Sequence, residues 1–159
     1  MSRCYLDTNF IYAHLRAKPG ATLGPVEAWR ARVLSEMNDS GGIISGLVLD
    51  ELAYRLVLAW LRDDGDSDPL STYRADANRA MRAARRRLSA AWRAIDSLPL
   101  ELQPTEHAVV ESAKSLMAQP GLSPRDAFHA AHALEARCDL IVSSDAAFDK
   151  VSGLRRVTP

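Results

Sequence analysis

The stretch CYLDTNFIY, residues 4–12, places an aspartate and an asparagine inside a run of apolar and aromatic residues. A short apolar run is typical of a buried strand, so Arg3 to Leu6 predict a strand that ends at Asp7. A carboxylate at the end of a buried strand is costly unless it has partners. The reason for Asp7 and Asn9 at these positions must therefore be sought in other segments of the chain.

Further apolar segments alternate with helical patterns along the chain. GGIIS, residues 41–45, predicts a second strand, and from Leu47 the apolar residues recur at helical spacing. Three later segments also predict strands: LPLEL at 98–102, DLIVSSD at 139–145 and RRV near the C-terminus. Because strands and helices alternate, we predict one α/β domain over residues 1–159, with a parallel sheet covered by helices on both faces.

The composition limits the possible function classes. The chain has 159 residues, of which 47% are hydrophobic, as in an ordinary globular domain. Its 20 basic and 20 acidic residues cancel, so any contact with a nucleic acid must come from a local patch. Cys4 and Cys138 lack metal-site spacing and are interpreted as reduced core residues. No apolar run approaches the roughly 20 residues of a membrane span, so we expect a soluble, cytoplasmic protein without a membrane partner.

An arginine-rich helical segment at about 70–96 supplies a candidate basic patch. Apolar residues step by three or four from Tyr73 to Ile95, which predicts an amphipathic helix. The intervening positions carry many arginines, among them Arg82, Arg85 and Arg86. Such a face can contact a phosphate backbone or a protein partner, or it can be an ordinary solvated surface.

Four acids stand where an open parallel sheet binds ligands, beyond the carboxyl ends of its strands. Asp7 and Asp145 follow predicted strands, whereas Glu51 and Asp126 lie in the opening turns of predicted helices. If these carboxylates converge, they repel one another unless a cation neutralises them. An all-oxygen ligand set suits Mg²⁺ or Mn²⁺, so the pattern predicts a divalent metal site.

Each acid also has a purely structural interpretation. Asp7 can cap a turn, Asp145 can be a loop acid, and Glu51 can pair with Arg55 four residues later. Asp126 stands three residues after Ser123, a spacing typical of a capping box at a helix start. Only the joint placement of the four acids favours the metal site.

Two histidines, His129 and His132, stand three residues apart on the alanine-rich helix. With no third ligand of a suitable type nearby, they are interpreted as packed or hydrogen-bonded histidines rather than a zinc site. His129 can border the acidic site, because it lies three residues from Asp126 on the same helix face.

Three blocks of the chain resemble, in order, the PIN-domain nucleases, and within them the VapC-type toxin ribonucleases of toxin-antitoxin pairs. The blocks are YLDTNFIYAHL, IISGLVLDEL and LSPRDAFHAAHALEARCDLIVSSDAAFDKVSGL. The resemblance implies an α/β/α sandwich with a central parallel sheet of four to five strands, in which the first strand lies between the second and the one before Asp145.

The resemblance also implies metal or supporting roles for particular residues. The metal ligands would be Asp7, Glu51, Asp126 and Asp145, with Asp149 as an additional acid; Thr8, Asn9 and Ser143 match small polar positions near the site. Glu51 is preferred to its neighbour Asp50 because Leu52 follows it.

The function that this resemblance implies is a Mg²⁺-dependent endoribonuclease, the toxin component of a type II toxin-antitoxin system. Mn²⁺ is expected to substitute for Mg²⁺, and a metal-activated water would hydrolyse the RNA phosphodiester bond. The implied partners are an RNA substrate, a cognate antitoxin and a second copy in a homodimer. The arginine face is then a candidate surface for RNA or antitoxin.

Three other functions remain as alternatives. The chain could be a catalytically idle PIN-like module that binds RNA or protein, or a housekeeping PIN nuclease without an antitoxin. The presence of all four acids favours an enzyme over the idle module. A phosphatase of the Asp-x-Asp type is disfavoured, because Thr8 and Asn9 follow Asp7 and no second motif aspartate stands two residues on.

Overall fold

A computed structural model describes residues 3–17 and 25–159. Residues 1–2 and 18–24, which belong to the predicted domain, lie outside the described residues. The strands are β1 (Cys4–Leu6), β2 (Gly42–Ser45), β3 (Leu100–Gln103), β4 (Leu140–Val142) and β5 (Arg155–Val157). The helices are α1 (Thr8–Arg16), α2 (Pro25–Ser40), α3 (Gly46–Asp63), α4 (Pro69–Ala75), α5 (Ala77–Asp96), α6 (His107–Ala118) and α7 (Pro124–Glu135).

The five strands form one parallel sheet in the order β3-β2-β1-β4-β5. In this register Tyr5 of β1 lies beside Ile43 of β2 and Ile141 of β4. All residues of β1 and β4 are buried, as expected for parallel strands covered on both faces. The predicted α/β class, the parallel sheet and the central position of β1 are therefore confirmed.

Helix α7 begins as its sequence predicts. Ser123 is the N-cap, and its hydroxyl oxygen accepts a hydrogen bond from the backbone N–H of Asp126. The buried side of α7 is made largely of alanines, including Ala127, Ala130 and Ala131. Small side chains allow this helix to approach the sheet closely, which brings His129 to the end of β1.

The arginine-rich segment is two helices rather than one continuous helix. Asp76 ends α4 and caps α5, with its carboxylate accepting from the backbone N–H of Arg79 at 2.8 Å. This local hydrogen bond breaks the helix, although the apolar periodicity of the sequence continues across the break. Helix α5 then buries a regular stripe of small and apolar residues: Ala80, Ala84, Leu88, Ala91 and Ile95.

Both cysteines are buried, Cys4 in β1 and Cys138 just before β4, and no disulfide joins them. Burial raises the pKa of the Cys138 thiol to about 12, so this side chain remains a protonated core residue at neutral pH. No helix within the described residues has the length and apolar character needed to cross a membrane.

Candidate metal centre

Asp7 lies at the carboxyl end of β1, and the residue is only 4% exposed. Its Oδ1 accepts from the backbone N–H of Thr8 at 2.7 Å, which makes Asp7 the N-cap of α1. Its Oδ2 accepts from Asn9 Nδ2 at 3.0 Å and from the Ser143 hydroxyl at 2.6 Å. Asp7 is thus both a helix cap and a rigidly oriented buried carboxylate.

Glu51, in the second turn of α3, faces Asp7 across the end of the sheet. Its Oε2 accepts from the Thr8 hydroxyl at 2.7 Å, and its Oε1 lies 3.3 Å from Arg125 Nε. Partial burial raises the pKa of Glu51, but hydrogen bonds from His129 and Thr8 and the charge of Arg125 outweigh it, so this pKa lies below its usual value. The neighbouring Asp50 is exposed, so Glu51 is the acid that α3 turns towards Asp7.

His129 lies between the two carboxylates and is almost completely buried. Its Nε2 is 3.0 Å from Glu51 Oε2 and 3.6 Å from Asp7 Oδ1. An ionised carboxylate can only accept, so the hydrogen bond to Glu51 requires the proton on Nε2. Asp7, Glu51 and His129 each offer one atom that could hold a metal ion, and these atoms lie within 4.8 Å of one another.

A buried hydrogen-bond chain supports the back of His129. The Tyr5 hydroxyl lies 3.0 Å from His129 Nδ1 and 2.7 Å from the Ser45 hydroxyl. Burial raises the pKa of Tyr5 well above its usual value, so the phenol remains protonated within this chain of hydrogen bonds. Neither Tyr5 nor Ser45 was predicted as a site residue. The available signal was that a buried tyrosine hydroxyl, two residues before Asp7 on the same strand face, requires a partner.

Arg55 supports the opposite side of Asp7. Its Nη1 donates to Asn9 Oδ1 at 2.7 Å, and its guanidinium carbon lies 4.5 Å from the centre of the Tyr12 ring. The Asn9 amide is therefore held with its nitrogen towards Asp7. The alternative pairing of Glu51 with Arg55 is not the arrangement observed, because Arg55 binds Asn9 and Glu51 is paired with Arg125.

The other three predicted acids are engaged with local partners. Asp126 Oδ2 accepts from the Ser123 hydroxyl at 2.6 Å, so its carboxylate is paired with the N-cap side chain of its own helix. Asp145 caps the short 3-10 helix at 146–150 by accepting from Ala147 N at 2.8 Å. Asp149 accepts two hydrogen bonds from Arg156, at 2.8 and 2.7 Å, and these hold the pKa of this carboxyl below its usual value.

The structure therefore divides the predicted site residues into two groups. One group meets at the end of β1: Asp7, Glu51 and His129, in contact with Thr8, Asn9 and Ser143. The acids Asp126, Asp145 and Asp149 are outside that cluster of potential ligand atoms. Asp145 is nevertheless linked to it, because its backbone N–H donates to the Ser143 hydroxyl at 3.0 Å.

The donor set fits a divalent cation. Two carboxylates from separate elements face one another beside a single protonated ring nitrogen, and Thr8, Asn9 and Ser143 hold both carboxylates in place. Carboxylate oxygens are the ligands that Mg²⁺ and Mn²⁺ prefer. A cation here would offset the repulsion between the two acids.

Comparison of the fold with solved structures gives full-length similarity at low sequence identity. A chain of VapBC2 from Rickettsia felis, solved with a promoter DNA fragment, is 16% identical, with a TM-score of 0.62. The alignment covers 97% of the present chain and 96% of the VapBC2 chain. A chain of a toxin-antitoxin complex from Klebsiella pneumoniae is 13% identical, with a TM-score of 0.53 and coverage of 96% and 95%. VapC20 of Mycobacterium tuberculosis, described as a sarcin-ricin loop cleaving toxin, is 18% identical, with a TM-score of 0.56 and coverage of 98% and 99%.

A family comparison agrees with the fold. No curated protein sequence matches the chain. The sequence model of the PIN domain, however, matches residues 4–154, which include β1 to β4 and end just before β5. The family resemblance of the three sequence blocks is therefore confirmed, and the chain belongs to the PIN domain family.

Proposed function

We propose that this protein is a divalent-metal-dependent endoribonuclease and the toxin component of a toxin-antitoxin pair. The observation that carries the proposal is the meeting of Asp7, Glu51 and His129 at the carboxyl end of the central strand. This is the edge at which open parallel sheets bind their ligands.

Asp7 and Glu51 would hold a Mg²⁺ or Mn²⁺ ion, which supplies an activated water and charge stabilisation at the scissile phosphate when bound. The proton on His129 Nε2 leaves this nitrogen as a hydrogen-bond donor, so His129 orients Glu51 rather than binding the ion in this state. As the family resemblance implies, Asp126 and Asp145 are proposed as further ligands, and Asp149 as an additional acid. Each of these three would exchange a local partner for the ion.

The surrounding residues position the site and meet the substrate. Thr8, Asn9 and Ser143 fix the two carboxylates through the hydrogen bonds described above. Arg125 is 64% exposed at its side chain and lies beside Glu51 at the rim of the site. We propose that its guanidinium contacts a substrate phosphate, because planar arginine groups bind phosphate well.

Three solved structures of similar fold support an RNA substrate and an antitoxin partner for this chain. Two are toxin-antitoxin assemblies, and the third is described as a sarcin-ricin loop cleaving toxin. The homodimer and the cytoplasmic location remain predictions. The alternatives of an idle RNA- or protein-binding module and of a housekeeping nuclease are separated from the proposal by the experiments below.

Incubation of the purified protein with an RNA pool tests the nuclease. Cleavage should occur with Mg²⁺ or Mn²⁺ and stop with a chelator. Asp7→Asn should abolish it, while the matched control Asp50→Asn, an exposed acid on α3, should leave it unchanged. Full cleavage by a folded Asp7→Asn protein would overturn the assignment of the site, and a wild-type protein that binds but never cuts RNA would support the idle module.

Expression in a bacterial host tests the toxin. Growth arrest by the wild-type protein, but not by Asp7→Asn, is expected. The product of an adjacent small reading frame should relieve that arrest by binding the protein. Active cleavage without growth arrest would support the housekeeping nuclease instead.

A further inference from the structure

Four arginines form a line along the solvent side of α5. Their spacings of three, four and seven residues return to the same side of an α-helix. We call these residues the arginine stripe: Arg79, Arg82, Arg86 and Arg93, all exposed. The buried residues of α5, from Ala80 to Ile95, occupy the opposite side and pack into the apolar core beside α3 and α4. The arginine stripe is therefore not used to stabilise the fold.

No acid among the described side chains neutralises the arginine stripe. In the part of the chain that the structure describes, none of its guanidinium groups has an ion pair or a hydrogen bond. Arg87, on the flank of the same helix, shows the contrast, because it donates to both carboxylate oxygens of Asp64 at 2.9 and 2.8 Å. Helix α5 carries six arginines and a single acid, Asp96, in a chain with no net charge. Positive charge is thus concentrated on one outer surface.

The residues between these arginines fit a polyanion better than a folded protein. Ala83, Ser89 and Ala90 are exposed and small, whereas protein interfaces are built around buried aromatic and large apolar anchors. Arginines four residues apart lie about 6 Å apart along a helix axis. Long, flexible side chains at such intervals can reach successive phosphates of one strand, and each contact adds electrostatic affinity that does not depend on base sequence.

We propose that the arginine stripe binds the phosphate backbone of single-stranded RNA outside the metal centre. The identification of the nucleic acid as RNA rests on the proposed nuclease function. Arg85, which is exposed beside the arginine stripe, can add a contact to the same strand. The surface adds affinity along the strand, and the choice of the cleaved bond remains with the metal centre.

Binding of labelled oligouridine to the Asp7→Asn protein tests this surface without cleavage. Fluorescence anisotropy at a series of KCl concentrations gives both the affinity and its salt dependence. The stripe variant is Arg82→Gln with Arg86→Gln. The matched control is Arg137→Gln with Arg155→Gln, which removes the same charge from two exposed arginines that precede β4 and begin β5.

The stripe variant should bind RNA more weakly than the parent protein. The slope of log K against log salt, which is negative, should become shallower by about 0.7 for each lost phosphate contact. The control should retain the parent slope and affinity. Equal losses of RNA affinity in the stripe variant and the control, or an unchanged salt slope in the stripe variant, would overturn the proposal. So would displacement of the RNA by polyglutamate as readily as by unlabelled RNA, since the occupant would then be an acidic protein segment. Failure of the wild-type protein to cut RNA, with this binding intact, would refute only the nuclease.

Discussion

One imidazole joins the two carboxylates at the end of the central strand: His129 Nε2 lies 3.0 Å from Glu51 Oε2 and 3.6 Å from Asp7 Oδ1. The ring is held from behind by the Tyr5 hydroxyl at 3.0 Å. Because Tyr5 and Asp7 lie on the same strand face, one short strand fixes both the histidine and the acid that it meets. The geometry of the site is thus built largely into β1.

Replacement of His129 by leucine should weaken metal binding. The change removes the hydrogen bond that orients Glu51, and loss of such supporting partners typically costs about 10- to 100-fold in metal affinity. Titration with Mn²⁺ measures the effect, and His107→Leu, on the exposed first turn of α6, is the control. An unaltered Mn²⁺ affinity in a folded His129→Leu protein would refute the supporting role.

Replacement of Ser143 by alanine should destabilise the fold and slow cleavage. Ser143 donates to the buried Asp7 carboxylate at 2.6 Å and accepts from the backbone N–H of Asp145 at 3.0 Å. Leaving a buried charged group without one of its partners costs about 1 to 3 kcal/mol. Urea unfolding measures this loss, and Ser144→Ala, at the exposed next position, should change stability by less than about 0.5 kcal/mol. Equal stabilities for the two variants would contradict the account of Asp7.

Replacement of Arg55 by glutamine should slow RNA cleavage about tenfold, in the range expected for a residue that orients a metal-site group. Arg55 holds Asn9 so that the amide nitrogen faces Asp7. Cleavage rates at saturating Mn²⁺, together with a separate Mn²⁺ titration, distinguish this positioning effect from loss of the fold. Arg62→Gln, exposed on the same helix, is the control. Wild-type rates in Arg55→Gln would show that Asn9 needs no such support.

Acid should destabilise the protein through His132. Burial lowers the pKa of this imidazole from its ordinary value of 6.5 to about 4, with a further contribution from His129. The folded state therefore binds fewer protons than the unfolded state below pH 6.5, so stability is complete above that value and is lost as pH falls towards 4.

Between pH 7 and 5, His132 should account for a loss of at most about 2 kcal/mol in the free energy of unfolding. His132→Leu should flatten this dependence, and His107→Leu should not. The leucine should be tolerated at pH 7, because Nδ1 of His132 is buried without a hydrogen-bond partner. Its Nε2 lies 3.2 Å from the hydroxyl of Thr105, an exposed residue whose hydroxyl can bind water instead. Parallel pH dependences for wild type and His132→Leu would contradict the assignment.

The sheet and the position of Asp7 were predictable from sequence because they follow local patterns. Apolar runs mark β1, β2 and β4. An acid directly after a central strand necessarily lies at the ligand-binding edge of the sheet. The helix break at Asp76 was not predicted, since the apolar periodicity continues through it and only the capping hydrogen bond to Arg79 interrupts the helix.

The supporting contacts of the site were beyond prediction for another reason. Arg55 and Asn9 are 46 residues apart, and Tyr5 and His129 are 124 residues apart. No local pattern links residues at such separations, and only the packing of α3 and α7 around β1 brings them together. Buried polar groups are expected to have hydrogen-bond partners, but this rule does not identify which residues those partners are.

Mn²⁺ binding followed by electron paramagnetic resonance tests the central claim most directly, because it detects the ion independently of any substrate. The wild-type protein and Asp50→Asn should bind Mn²⁺ with the same affinity, while Asp7→Asn and Glu51→Gln should lose Mn²⁺ binding and remain folded. Wild-type affinity for Mn²⁺ in both Asp7→Asn and Glu51→Gln would contradict a metal centre at the end of β1.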